Sequence, residues 1–243
     1  MRFFALTVVA GLALPAAAQD ASKAVIEKAI KAHGGAELLA KFTAERITVK
    51  GTVVIMDMDV EATGTVVTQY PDKQKSNITL TVAGQELKLV QTNNGESMSV
   101  SINGMPLPVT DEQKSDGRQD MYADSLTRLV PLLKGDAYTL KAGPDAAVNG
   151  DPAVSVVVEH AKYKPVTLYF DKASGKLVRS AYQSTDDGAE VAKETTYSDY
   201  KAVQGVQVAH KQSSTKAGKK EAEVTLEKVE LLEKVDASEF AAD

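Results

Sequence analysis

The stretch that most constrains this chain is 163–210, YKPVTLYFDKASGKLVRSAYQSTDDGAEVAKETTYSDYKAVQGVQVAH. Val166, Leu168 and Phe170 alternate with Thr167, Tyr169 and Asp171, the period of two that a half-buried strand requires. Asp171 to Gly175 reads as a hairpin connection and Asp186-Asp187-Gly188 as a second turn, with glycine supplying the left-handed conformation such loops use. Tyr197-Ser198-Asp199-Tyr200 reads as a corner, and Gly205 precedes a short strand, Val206 to His210. The succession predicts an antiparallel meander with a large curved face. Apolar sheet surface must be taken out of water, so whatever covers that face decides the function.

The chain opens with Met1-Arg2, an apolar run from Phe3 to Leu14 and the small residues Ala16-Ala17-Ala18. That order predicts a secretory signal peptide over 1–18, leaving a single domain over 19–243 in the periplasm or outside the cell. There is no cysteine in the chain, so neither disulfides nor a lipidated cysteine enter the reading. The formal net charge of −5 and the lack of tryptophan argue against nucleic acid and anionic membrane surfaces as partners. No repeat or linker breaks the chain, and a monomer is expected.

Two helical segments are predicted near the start, Asp20 to His33 with Val25, Ile26, Ala29 and Ile30 as its stripe, and Ala36 to Phe42. From Arg46 to Tyr70 the pattern is that of strands, with Val54, Met56, Met58, Val60 and Ala62 as the apolar set and a turn near Asp57-Met58. Ile78, Leu80 and Val82, then Leu87 and Leu89, then Met98, Val100 and Ile102 continue the sheet, and Asn94-Gly95 and Asn103-Gly104 are hairpin signals. At 118–133 the period changes: Tyr122, Leu126, Leu129, Val130 and Leu133 share a helical face. A helix between sheet segments is the natural lid for the concave side. In Lys220 to Leu231 the apolar phase jumps from Ala222, Val224 and Leu226 to Val229 and Leu231, which predicts a β-bulge near Glu227-Lys228. Phe240 is expected to anchor the C-terminus. The fold class is α+β, mostly β, with about ten or eleven strands.

The segments GGAELLAKF, YPDK, VNGDPA, YFDKASGKLVRSAY, TTYSDYKAVQGVQVAHK and the closing VEL and VDASEF resemble the LolA-like superfamily, the outer-membrane lipoprotein-sorting proteins and their relatives. The resemblance spans nearly all of 19–243 and is strongest from Tyr169 to Lys211. It implies an incomplete antiparallel β-barrel wrapped around helices that plug its concave face, with a hydrophobic cavity for acyl chains. It also implies an arginine that holds the lid, for which Arg46 and Arg118 are candidates. The sorting protein's cavity is rich in aromatic side chains; this chain has no tryptophan.

Catalytic patterns are missing. His33, His160 and His210 stand far apart without acidic or histidine neighbours at metal-ligand spacing, and there is no HExxH, GxSxG or P-loop. Asp57, Asp59 and Glu61 read as a charged strand face that discourages aggregation, since a calcium cage needs six or more oxygens. Met56, Met58, Met98, Met105 and Met121 suit either core filling or an adaptable cavity. The expectation is therefore a non-enzymatic carrier, without metal or cofactor, of a lipid or lipidated protein, handing cargo toward the outer membrane through envelope transport partners. Its cavity lining is expected from Val54, Met56, Met58, Val60, Leu80, Leu89, Met98, Val100, Leu126, Leu129, Leu168 and Phe170. The alternative is an envelope sensor or interaction module on the same scaffold, with a protein partner and no lipid.

Overall fold

In a computed structural model, residues 15–186 and 188–241 are described; most of the expected signal peptide, 1–14, lies outside them. Helix α1 (Pro15–Ala32) and helix α2 (Ala36–Lys41) lead into strands β1 (Ala44–Ile55), β2 (Met58–Gln69), β3 (Lys73–Val82), β4 (Gln85–Asn94), β5 (Ser97–Ile102) and β6 (Met105–Leu107). Helix α3 (Asp111–Ser125) follows, then two 3-10 turns, Leu126–Arg128 and Val130–Leu133. The remaining strands are β7 (Thr139–Ala142), β8 (Ala146–Val148), β9 (Asp151–His160), β10 (Tyr163–Asp171), β11 (Leu177–Asp186), β12 (Ala189–Val203), β13 (Val206–Lys216) and β14 (Lys219–Leu232). The chain ends in a 3-10 turn, Ala237–Phe240.

All fourteen strands form one antiparallel sheet, and its order shows how. From β6 the order runs back through β5, β4, β3 and β2 to β1; β1 then pairs with β14, and the order continues through β13 to β9 and β7, with β8 also on β9. The two ends of the sheet, β6 and β7, do not meet, so this is an incomplete barrel. The extra strands beyond the expected ten or eleven are partly the short edge pieces β6 and β8, too brief to show a period.

Hairpin chemistry sets the register. Met56 and Asp57 both have positive φ, 51° and 61°, the two-residue turn whose twist matches its flanking strands. The turn thus falls one residue before its expected place. The expected bulge in β14 is present: Thr48 pairs with Lys228 and Val49 with Leu226, leaving Glu227 unpaired. It keeps Ala222, Val224 and Leu226 on the same face as Val229 and Leu231. The corner expected at 197–200 is instead a local irregularity inside a continuous β12: Asp199 takes φ 53° and is skipped in the pairing with β13, while the register is the same on either side, Ser198 opposite Lys211 and Tyr200 opposite Ala209.

Curvature comes from two glycines. A Cβ on Gly51 would lie 2.0 Å from Glu223 O, and one on Gly64 2.0 Å from Asn77 O. The backbones of adjacent strands therefore cross closer here than any side chain permits. Inside the curve, Ile26, Ala29 and Ile30 of α1, Leu39 of α2 and Leu126, Leu129 and Leu132 of the 3-10 turns pack on Val156, Val158, Val166, Leu168 and Phe170. On the convex side a separate cluster of Ala44, Val67, Val235 and Phe240 ties the C-terminal turn to β1 and β2. Phe240 is the anchor expected from sequence, 2% exposed.

The expected helix over 118–133 is instead α3 plus two 3-10 turns. It begins earlier because Thr110 and Gln113 form a reciprocal capping box, and it ends earlier because Leu129 takes φ 59° ahead of Pro131, which the α-helical geometry does not accommodate. Gly64→Ala is predicted to lower stability by roughly 2 kcal/mol, because the new Cβ forces β2 and β3 apart. A urea titration followed by circular dichroism measures it, and an unchanged midpoint would contradict the close-approach account.

Candidate functional site

Register assigns one face of the first half of the sheet to the barrel interior. Val53 lies opposite Val60, Ala62 opposite Leu80, Leu80 opposite Leu87, Ile78 opposite Leu89, and Leu89 opposite Ile102. Val60, Ala62 and Leu80 form a buried cluster flanked by partly buried Val53, Ile78, Val82, Leu87 and Leu89. No helical residue belongs to this cluster, whereas the corresponding face of β9–β11 is packed under α1, α2 and the 3-10 turns. The same face continues onto the free edge, where Leu107 pairs with Val100 and Met105 with Ile102. Met105 is 66% exposed and Leu107 43%.

The twelve residues expected to line a cavity separate under this geometry. Val60, Leu80, Leu89, Met98 and Val100 share the apolar inner face of β2–β5, and Met58 shares it at the exposed hairpin tip. Val54 pairs with Asp59 on the opposite face. Met56 sits in the turn, 88% exposed. Both corrections follow from the two-residue turn at Met56-Asp57, across which the alternation reverses, so that Val53 rather than Val54 lies on the inner face with Val60. Leu126, Leu129, Leu168 and Phe170 are brought together, but in the filled core under the helices rather than in open space. Sequence reading missed Val53, Ile78 and Leu87 as one surface, because their grouping depends on pairing register.

Helix α3 bridges the opening. Gln119 exchanges two hydrogen bonds with the Lys164 backbone of β10, at 3.2 and 3.0 Å. Asp120 accepts from Tyr182 Oη at 2.6 Å and from Lys193 Nζ at 2.8 Å. On its other flank Arg118 pairs with Glu96 of the β4–β5 turn at 3.5 Å. Arg46, the other arginine considered for the lid, pairs with Glu239 at 2.9 Å beside the C-terminal turn.

The arginine that holds the plug is Arg128. It donates to Phe42 O at 2.7 Å, lies 3.8 Å from Glu45 Oε2, and stands over the Tyr70 ring at 4.9 Å. Tyr70 Oη donates to Glu45 Oε1 at 2.8 Å. Asp124 completes the group: poor access to water and then the Glu45 charge raise its carboxyl to about 7, against the pull of Arg128. Burial pushes the Tyr70 hydroxyl well above its ordinary range.

His33 takes a structural place. His33 Nδ1 donates to Ala29 O at 2.7 Å, and Nε2 faces the Leu177 amide at 3.5 Å. Burial lowers its pKa, so it is a neutral clamp rather than the cation its place near a helix C-terminus predicts. Asp59 pairs with Lys220 at 3.1 Å, and among the described residues no group of three or more His, Asp or Glu is placed to hold a metal ion.

Two cavities adjoin the plug. One of about 360 Å³ is lined mainly by Leu39, Phe42, Val130, Pro131 and Tyr138, with Tyr70 and Arg128 at its wall. The second, about 240 Å³, shares Pro71, Ser125 and Tyr138 with it and extends to Met98, Met121, Tyr122, His160 and Tyr163. Together they connect the plug to Met98, which shares its strand face with Val100.

No protein-family model matches this sequence, and no curated protein matches it. Solved structures do match. A LolA superfamily protein from Nitrosomonas europaea is 11% identical, covering 91% of this chain and 97% of its own, with a TM-score of 0.60. A DUF1329 family protein from Desulfovibrio piger is 10% identical over 90% and 97%, TM-score 0.57. A domain assigned to outer membrane lipoprotein sorting from Vibrio parahaemolyticus is 12% identical over 90% and 97%, TM-score 0.54. The fold is LolA-like.

A carboxyl held protonated in the folded state near neutral pH loses stability relative to the unfolded chain as pH rises from about 4 through about 7, because the folded form binds the extra proton. His33 acts oppositely, weakening the fold as pH falls below the ordinary histidine range. The difference between the parent and Asp124→Asn isolates the first effect. Asp124→Asn is predicted to gain on the parent by up to about 1.4 kcal/mol per pH unit between pH 5 and 7, read from urea midpoints. A constant difference across that range would contradict it.

Proposed function

We propose that this protein is a non-enzymatic carrier that holds the acyl chains of a lipid or lipidated protein against the inner face of β1–β5. The observation that carries this reading is the asymmetry of the barrel interior: the face of β9–β11 packs under α1, α2 and the 3-10 turns, while the apolar cluster of Val60, Ala62 and Leu80 includes no helical residue and continues along the sheet to an exposed edge. An apolar surface of that kind persists where it is used. Burying about ten methylenes at about 0.8 kcal/mol each supplies roughly 8 kcal/mol, enough for micromolar affinity before ordering costs. The LolA-like fold supports a lipidated cargo, and the signal-like sequence over 1–18 supports export to the periplasm and handover toward the outer membrane.

A second reading rests on the edge strand. The three-residue β6 leaves one side of its backbone unpaired and carries exposed Met105 and Leu107, a surface on which a protein segment can add as a strand. In that case the scaffold is an envelope sensor or interaction module.

Native mass spectrometry of the protein purified from its own cell envelope is expected to show a discrete added mass that extracts into organic solvent. Leu89→Asp, which places a charge on the half-buried inner face, is predicted to reduce that loading at least about tenfold while the circular dichroism spectrum is kept. An apo mass from the envelope, together with no uptake of a fluorescent fatty acid, would sink the carrier reading and favour the edge-strand module.

A further inference from the structure

The cavity of about 240 Å³ beside α3 has a chemistry that acyl chains do not need. It is lined by Tyr122, Tyr138, Tyr163 and His160, and also by Lys114, Arg118 and Lys162. Tyr122 stacks on Tyr163 with ring centroids 4.3 Å apart, and His160 packs within 6 Å of Tyr122, Tyr138 and Tyr163. His160 Nδ1 accepts the Lys162 backbone N–H at 3.1 Å, so the neutral ring carries its proton on Nε2 and has a donor to give. Tyr122 is 5% exposed, and its hydroxyl has no hydrogen-bond partner among the described residues.

Three cations line this one cavity in a chain whose overall balance is acidic. Lys114 and Arg118 are paired only with exposed carboxylates, Asp111 at 3.0 Å and Glu96 at 3.5 Å, contacts of little strength that a better anion displaces. Asp72 and Glu96 also line the cavity; they leave the cations in excess. Lys162 has no ion pair among the described residues. With three cations and the Nε2 donor of His160 among its lining groups, the complementary ligand is an acceptor: a compact oxyanion such as a phosphate monoester or diester.

Met98 joins this cavity to the apolar face. It lines the cavity and stands on the same side of β5 as Val100 and Ile102, two strand positions from the surface assigned to acyl chains. We infer that the cavity formed by Lys114, Arg118, Lys162, His160 and Tyr122 binds a phosphate-class oxyanion, seating the headgroup of an amphiphile whose chains lie along β1–β5. This inference rests on the carrier reading for its source of phosphate, not for the site itself.

Calorimetric titration of the full chain with dioctanoyl phosphatidic acid, dioctanoylglycerol and inorganic phosphate separates the possibilities. The expected result is a preference of about tenfold or more for the phosphatidic acid over the diacylglycerol. The double substitution Arg118→Gln, Lys162→Gln is expected to abolish that preference without changing affinity for dioctanoylglycerol or the melting curve. If neither lipid binds but inorganic phosphate does, and the double variant loses it, the oxyanion site stands with a free phosphate as its ligand and the acyl reading falls. Equal affinity for the two lipids overturns the oxyanion site and leaves the acyl face intact. A preference that survives in the double variant, or no binding of any of the three probes, overturns it as well.

Discussion

The pairing of β1 with β14 is the contact on which the rest of this molecule depends. It joins the first and last strands, separated by nearly the whole sequence, in the middle of the sheet. Without it the chain is two unrelated meanders, β1–β6 and β7–β14, each with an apolar face and no partner for it. With it, the two become one curved surface whose free edges lie at β6 and β7. Such a contact closes late, since its loop entropy must be overcome before any other long-range packing rewards it. The devices around it serve that closure: the Glu227 bulge holds the apolar phase of β14, Gly51 and Gly64 allow close crossing, and Phe240 and Val235 clasp the outside.

Inside the curve, the plug is fixed by polar rather than apolar contacts at its narrowest point. Arg128 on the first 3-10 turn reaches the end of α2 through Phe42 O and β1 through Glu45, with Tyr70 beneath it and Asp124 beside it. Ion pairs away from water gain little net stability over a well-packed apolar group. What they impose is position, because a shifted plug would leave Glu45 and Arg128 unpaired in a poorly solvated place. Helix α3 is tied in the same manner by Gln119 and Asp120 to β10, β11 and β12. The plug therefore sits firmly over the second half of the sheet and leans on the first half only through its rim.

That imbalance creates the candidate site. Sheet lies on both sides of the β1–β14 seam, but the helices are rooted on one side. The apolar cluster on the inner face of β2–β4 includes no helical residue, α3 reaches this face at Met98 and Asn93, and the cation-lined cavity lies where α3 crosses toward the β4–β5 turn. Apolar wall and donor-rich pocket thus adjoin through Met98, an arrangement suited to an amphiphile.

Much of this was legible in the sequence because alternation is a local property. The meander of β10–β12, the bulge in β14, the Asn-Gly hairpins and the anchoring Phe240 are each written within a few residues. The resemblance of the 169–211 stretch to LolA-like proteins pointed to the correct fold. The inner face was legible where the phase of a strand is unbroken, as at Val60, Leu80, Leu89, Met98 and Val100. It failed at Val54 and Met56, since a two-residue turn reverses the phase: even residues of β2 face the interior together with odd residues of β1. Leu126, Leu129, Leu168 and Phe170 carry the same apolar pattern as the inner face of β2–β5, and only packing shows that they belong to the core under the helices. The Arg128–Glu45–Tyr70–Asp124 group and the tyrosine cavity left no local signal, being assembled from segments up to about a hundred residues apart. The sequence by itself determined the strands, their turns and the amphiphilic face, because these follow from residue period and backbone conformation. Tertiary structure alone decided which half of that face the helices cover and which polar groups meet beside it, because burial and charge pairing depend on distances that sequence order does not contain.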